Sequence, residues 1–242
     1  MRYLGLDLAW APRNSSGGAV MERTEEGIRL VSTAHLRAHE DVLGWVSRNR
    51  GRTGCIIAVN APLIVENTSG RRPVDELLEH HFSRFKIDEY MVNTVNASHP
   101  RTIARSLIRM GLDLDPRSEN DRCLETCAQA AQILLFGVDR PMRIKSGPIG
   151  GRKDAANRYR ELIYGKLPFL DPELEDSDAL EELVNANLAA MNGTRLGELE
   201  GKLDATMSAY IAAYVDLKGA EACAFLGDLY RGYVILPAPP SE

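Results

Sequence analysis

The hydrophobic pattern opens with Tyr3 to Trp10, reading YLGLDLAW, an apolar run of β type with one acid in its middle. Side chains alternate across a strand, so Leu4, Leu6 and Leu8 fall on one face and Tyr3, Gly5 and Asp7 on the other. Asp7 therefore stands where a core side chain is expected. An unpaired carboxylate in apolar surroundings is costly or takes up a proton, so it is kept mainly where a cation, a metal or a donor network meets it. Gly5, two positions earlier on the same face, leaves space beside it. Asp7 can equally be a strand-end cap for the loop that begins at Ala11-Pro12, and this run alone leaves both roles open.

The turn-rich Pro12 to Gly18 precedes two short strands, Gly18 to Glu22 and Ile28 to Thr33, which with the first run predict an antiparallel meander. His39 to Arg48 has the period of an amphipathic helix, with Val42, Leu43, Trp45 and Val46 on one side. Cys55 to Ala61 is nearly continuously apolar, as in a strand buried on both faces, and Pro62 stops it. From about 65 to 121 the pattern changes to loops and helices, Val74 to Phe85 and His99 to Met110, and reads as a helical insertion. Cys123 to Cys127 resumes a strand, with Glu125 in mid-strand beside Cys123 and Cys127 on one face. Ala128 to Phe136 is predicted helical and closed by Gly137.

Further on, Asp178 and Glu181 predict a capping box opening a helix through Met191, which Asn192-Gly193 ends. Lys202 to Lys218 is apolar around most of its girth, so it is a buried helix, with Asp204 in its first turn. That acid either complements the helix dipole or serves a site. Tyr233 to Leu236 reads as an edge strand, followed by a Pro237-Ala238-Pro239-Pro240 tail.

Composition narrows the class. Hydrophobic content of 44% and charged content of 26% are those of an ordinary soluble protein, and 242 residues suit one domain carrying an insertion. The balance of 29 basic against 34 acidic residues gives −5, which argues against a protein that coats nucleic acid or anionic membrane, so any polyanion site must be a local patch. Two patches are candidates. Arg101, Arg105 and Arg109 share one helix face; Lys145, Arg152, Lys153, Arg158 and Arg160 surround the glycine-rich Ser146 to Gly151, which reads as a mobile connection with basic shoulders. That loop lacks the spacing of known nucleotide motifs. Cys55, Cys123, Cys127 and Cys223 form no Cys-x-x-Cys pair and read as buried reduced thiols. With no signal-like or membrane-length apolar segment, the expected location is cytoplasmic, with no membrane partner.

Asp7, Glu125 and Asp204 are thus three acids inside or beside apolar elements. Carboxylates that converge repel one another unless a divalent cation joins them, and oxygen-rich sites suit Mg²⁺ or Mn²⁺. Two such ions ~3.5–4 Å apart activate a water and stabilise the leaving oxygen of a phosphodiester.

The opening GLDLAW, the IAVNAPL strand with the downstream GRRPVDELL, the LETC strand, the basic GRKDAANRYRELI, the late helix KLDATMSAYIAAY and the ending GYVILP carry a resemblance in their order and spacing. Over nearly its whole length the chain resembles the family of predicted RNase H-fold nucleases catalogued as domain of unknown function 429. The resemblance implies a single α/β domain over 1–242, an RNase H-like mixed sheet flanked by helices, with the helical insertion at about 65–121. It also implies metal-binding acids on the first strand, a neighbouring strand and a late helix, which carries over to Asp7, Glu125 and Asp204 as ligands of Mg or Mn.

Two positions depart from the family pattern: Asn60 stands where an aspartate is usual, and Cys127 and Ala128 follow the strand glutamate in place of histidine and proline. The expected site is therefore Asp7, Asn60, Glu125 and Asp204, with weak activity because Asn60 is neutral. Arg72, Arg101, Arg105, Lys145, Arg152 and Lys153 are the expected nucleic-acid-binding residues. The leading function is a metal-dependent nuclease. A catalytically inactive RNase H-fold binding or scaffold protein, and an actin-like ATPase or kinase, are the alternatives, the last opposed by the absence of phosphate-loop glycine and hydroxyl residues in Ala9 to Pro12.

Overall fold

The alternation in the opening run separates two cores. In the computed structural model, which describes residues 1–88 and 91–238, the first strand β1 (Arg2–Asp7) pairs antiparallel with β2 (Ser16–Arg23), and β2 pairs antiparallel with β3 (Ile28–Leu36). On the other side of β1, β4 (Cys55–Val59) and then β5 (Arg122–Glu125) add in parallel. A two-residue strand, β6 (Leu174–Glu175), extends the edge at β3. The result is a six-stranded mixed sheet of order β5-β4-β1-β2-β3-β6 in an α/β structure. The expected meander is present with longer strands, and every residue of β4 is buried, as its unbroken apolar run requires.

Tyr3, Ala19, Met21, Ile56 and Ala58 face one core, which the long helix α7 (Gly193–Lys218) fills with Leu203, Ala205, Met207 and Ala209. Burying large side chains such as Leu203 and Met207 contributes about 1.5–3 kcal/mol each. Leu4, Leu6, Val20, Ile57 and Val59 face the second core, closed by α1 (His39–Asn49) and α3 (Ser98–Arg109) through Trp45, Val46, Ile103 and Leu107. Glycine sets the closeness of α7 to the sheet. A Cβ at Gly5 would lie 1.8 Å from the Ala205 carbonyl oxygen, and one at Gly17 would lie 2.0 Å from that of Gly201. The space at Gly5 is thus taken by helix backbone and is not left open beside Asp7.

The segment from 65 to 121 divides between the faces. Its first helix, α2 (Pro73–Phe82), buries Val74 and Phe82 in the α7-side core, while α3 packs on the opposite side. The helices α4 (Ala128–Phe136), α5 (Ile149–Lys166) and α6 (Asp178–Val184) complete the α7 side. Three expectations change here. The glycine-rich stretch is not all connection, because Ile149-Gly150-Gly151 is the first turn of α5. α6 stops at Val184, and its N-cap is Ser177, whose side chain accepts from the Leu180 N–H at 3.2 Å. Asn192-Gly193 opens α7 instead of ending a helix: the Asn192 side chain accepts from the Arg195 N–H at 3.0 Å, an N-cap where a C-cap was expected.

The chain closes with a separate hairpin, β7 (Cys223–Asp228) and β8 (Gly232–Pro237), so Tyr233 to Leu236 do not form an edge of the main sheet. Thr126 ties this hairpin to the end of β5 by donating to the Ile235 carbonyl at 2.8 Å. Of the expected tail, residues 239 and 240 lie outside the described residues. Among the described residues no helix is long and apolar enough to cross a membrane. All four cysteines are free thiols, Cys55 and Cys123 fully buried.

Candidate functional site

Parallel pairing brings the C-terminal ends of β1, β4 and β5 to one end of the sheet, since Leu6 is in register with Val59 and Val59 with Glu125. There a cleft of about 380 Å³ is lined by Asp7, Trp10, Asn60, Arg72, Glu125, Lys145, Glu200 and Asp204, among others. All four residues expected to share a site, Asp7, Asn60, Glu125 and Asp204, therefore reach one cleft. They do not act as one group.

Asp7 is buried and doubly engaged. Its Oδ1 accepts from Asn60 Nδ2 at 2.9 Å, and its Oδ2 forms an ion pair with Lys145 Nζ, also at 2.9 Å. Asn60 is held in turn by the N-terminus of α4, where its Oδ1 accepts from the Ala128 N–H at 3.0 Å. The neutral amide at this position thus acts as a two-way connector, with a donor toward the acid and an acceptor toward the helix. A carboxylate could keep only the second bond.

On α7, Glu200 and Asp204 are four apart and so share a face, and Asp7 Oδ2 lies 3.5 Å from where a Cβ on the intervening Gly201 would stand. Asp204 is buried, and its Oδ1 accepts from the Tyr159 hydroxyl at 3.0 Å. Burial, then the neighbouring Asp7 and Glu200 carboxylates, push its pKa well above the ordinary value. Glu200 is 6% exposed. Its Oε1 accepts from the Ile144 N–H at 3.2 Å, whereas its buried Oε2 accepts no hydrogen bond from any described residue. Burial, opposed by Lys145, pushes this carboxyl up to about 7. For Lys145 burial disfavours the charge, but Asp7, Asp204 and Glu200 outweigh it, so the ammonium persists above its ordinary pKa.

Glu125 belongs to a different network. Its register partner Val59 faces the α1 and α3 core, so Glu125 leaves the strand on the opposite face from Asp7. There Arg72 meets it with a two-pronged pair, Nη2 to Oε1 at 2.7 Å and Nη1 to Oε2 at 3.0 Å, and the Leu63 N–H donates to Oε2 at 2.7 Å. Burial pushes the Glu125 carboxyl up, and Arg72 and the Leu63 amide pull it back. Arg72 also donates to both oxygens of Asp75, at 2.8 and 3.1 Å, and to the Ile64 carbonyl at 2.9 Å. A guanidinium has five N–H donors, and all five are used. Arg72, expected as a substrate-binding residue, is 2% exposed and stands in the cleft as the counter-ion of Glu125 and Asp75.

The other basic residues are placed as follows. Lys145 reaches the cleft with a half-exposed side chain. Arg152 donates to the carbonyls of Ile144 and Gly193, and Lys153 to that of Ala189 at 2.9 Å, so both pin backbone segments together and neither lines the cleft. Arg101 and Arg105 line a second groove with Ile108, Leu114 and Tyr230. Their helix packs on the α1 side of the sheet, and neither arginine lines the acidic cleft. Glu200 was missed in the sequence. It fell in what was read as the approach to a shorter helix, although its spacing of four from Asp204 was the available signal.

The donor chemistry of the cleft divides accordingly. Among the described residues no group of three or more His, Cys, Asp or Glu side chains forms a ready metal cage. Glu125 does not fit as a ligand, because Arg72 and the Leu63 amide occupy both its oxygens. Asp7, Glu200 and Asp204 line the cleft with one buried oxygen, Glu200 Oε2, unpartnered, and Lys145 stands among them. No protein-family model matches the chain, and no curated protein matches it.

Proposed function

We propose that this cleft is the site of a metal-assisted hydrolase of nucleic-acid phosphodiesters on an RNase H-like fold. The observation that carries the reading is that Asp7, from the first strand, lines one cleft with Glu200 and Asp204, from the late helix, with the buried Glu200 Oε2 unpartnered. The resemblance implies acids on those same two elements. Mg²⁺ or Mn²⁺ would be held by Asp7, Asp204 and Glu200, and when bound it would acidify a water and stabilise charge on phosphoryl oxygens. The chain's own residues prepare the place. Asn60 orients Asp7, Tyr159 orients Asp204, and the Ile144 amide fixes one oxygen of Glu200 so that the other points away from it. Nucleic acid would approach through Lys145 at the mouth, because Arg72, Arg152 and Lys153 are committed to internal partners.

A binding or scaffold protein without catalysis is the second reading. It is favoured by the ion pairs Lys145–Asp7 and Arg72–Glu125, which neutralise acids of the cleft from within. Cleavage assays on single- and double-stranded DNA and RNA at low salt, with Mg²⁺ or Mn²⁺, separate the two. Weak cleavage is expected, stronger with Mn²⁺, abolished in Asp7→Asn and Asp204→Asn and retained in Glu125→Gln. Binding without cleavage in every metal would leave the scaffold reading standing, and absence of both would remove nucleic acid as the ligand.

A further inference from the structure

The cleft is poorly equipped to hold a run of phosphates. Its described lining residues include seven acids against four bases, and with both α7 carboxyls protonated, as burial favours, five acids still face those four. Each base is already paired with a carboxylate: Arg71 with Glu79, Arg72 with Glu125, Arg143 with Asp88 and Lys145 with Asp7. Of the four, Arg143 and Lys145 have side chains about half exposed, while Arg71 and Arg72 are further covered. A protein that grips nucleic acid along the backbone neutralises many phosphates with Lys and Arg. Here the affinity has to come from another part of the ligand.

The remaining lining offers that part a surface. Leu78 from α2, Ile87, Val92, Val234 from β8 and Trp10 from the loop after β1 bring apolar side chains to the same cleft. The wall is fixed from behind. Ile87 and Val234 belong to the α7-side core, on which Leu78 packs, and Val92 is held with Val65 and Ala97, on which Trp10 packs. Apolar walls with a few convergent polar groups are the form of a small-ligand pocket, and about 380 Å³ lies near the lower end of the ~300–1,000 Å³ of such pockets. That is room for one nucleotide and not for the width of a duplex. In a duplex the base faces are stacked on one another, so an apolar wall has nothing to meet. An unpaired nucleotide presents a free face, and every base has one.

We propose that the substrate of this cleft is an unpaired nucleotide of a single strand, held mainly by its base against the apolar wall of Leu78, Ile87, Val92 and Val234, with Lys145 and Arg143 meeting no more than two phosphates. The proposal rests on the hydrolase reading and names its substrate class. Recognition then depends on strandedness, because pairing hides the surface that the wall binds.

The test uses the full chain without added divalent ion, so that binding is read apart from any metal chemistry. Of the two tryptophans, Trp10 lines the cleft and Trp45 is buried in the second core, so a change in indole emission reports the cleft. Calorimetry gives the affinity independently. The probes are adenosine and uridine 5′-monophosphate, ribose 5-phosphate, a single-stranded oligonucleotide and the same sequence as a blunt duplex. Both nucleotides and the single strand are expected to bind, and ribose 5-phosphate and the duplex to bind about ten-fold more weakly or worse, since neither offers a free base face. Single-strand affinity should fall with salt with a log–log slope no steeper than about −1.4, that of two phosphates. Leu78→Ser should weaken both nucleotides about ten-fold and leave ribose 5-phosphate unchanged, with Leu78→Met close to wild type. The comparison of probes on wild type stands whether or not Leu78→Ser folds. Ribose 5-phosphate bound as tightly as the nucleotides, a duplex preferred to the single strand, or a slope of several phosphates would overturn the inference, and the last two would leave the hydrolase reading intact. Absence of binding by all five probes would overturn the two together.

Discussion

Replacement of Arg72 by methionine tests the division of the cleft into two networks. The guanidinium is 2% exposed and spends all five donors on Glu125, Asp75 and the Ile64 carbonyl. Methionine fills much of its volume but leaves Glu125, itself 2% exposed, and the partly buried Asp75 facing each other without a cation. Breaking a buried pair from one side costs about 3–5 kcal/mol, because the partner's charge stays buried and uncompensated. Glu125→Gln is milder, on the order of 1–3 kcal/mol, since the amide oxygen still accepts and Asp75 still holds Arg72. In the double variant no orphan charge remains at position 125, so its cost should fall short of the sum by about 2 kcal/mol. Urea unfolding at pH 7 measures all three, with stability read from midpoints at constant m. An Arg72→Met cost below about 1 kcal/mol, or strict additivity, would refute the network as described.

Asn60→Asp replaces the donor that meets Asp7 at 2.9 Å with a second carboxylate, so the metal-free protein should lose about 2 kcal/mol at pH 7 and regain it with Mn²⁺, to which binding should tighten; melts unaffected by Mn²⁺ would oppose this. Gly5→Ala, whose Cβ would stand 1.8 Å from the Ala205 carbonyl oxygen, should push α7 off the sheet and cost about 3 kcal/mol or more in a thermal melt, and an unchanged Tm would contradict the close approach. Glu200 has its pKa raised from 4.5 to about 7 in the folded protein, so between those values the folded state keeps a proton that the unfolded chain has released. The stability this group contributes is therefore present in full below 4.5 and lost as pH rises through about 7. Glu200→Gln should remove a fall on the order of 2–3 kcal/mol across that window, and parallel stability curves for wild type and variant would count against it.

The sequence was most legible where one periodicity dominated. The two faces of β1, the doubly buried β4 and the helix α1 follow from apolar spacing alone, because each element buries what its pattern presents. The errors came where one local signal serves two ends of a helix. Asn192-Gly193 satisfies the composition of a C-cap, yet asparagine caps an N-terminus equally well, and tertiary packing of Leu196 and Leu199 decided for the longer α7. That change brought Glu200 into the site.

Glu125 lines the cleft from a separate network that the sequence did not show, for another reason. Its presence in an apolar strand was visible, but the face it takes depends on the register of β5 against β4, which no single strand encodes. Its partner Arg72 lies 53 positions earlier, at the start of a helix. Likewise the arginine stripe of α3 was a correct helix face on the far side of the sheet, since spacing orders residues along a helix and says nothing of which layer the helix joins.

Anomalous diffraction from a crystal soaked in Mn²⁺ tests the central claim most directly. The account predicts one strong peak within about 2.5 Å of carboxylate oxygens of Asp7 and Asp204, with Glu200 turned to it. Glu125 should remain paired with Arg72. A peak on Glu125, or a cleft empty of manganese at saturating concentration, would contradict it.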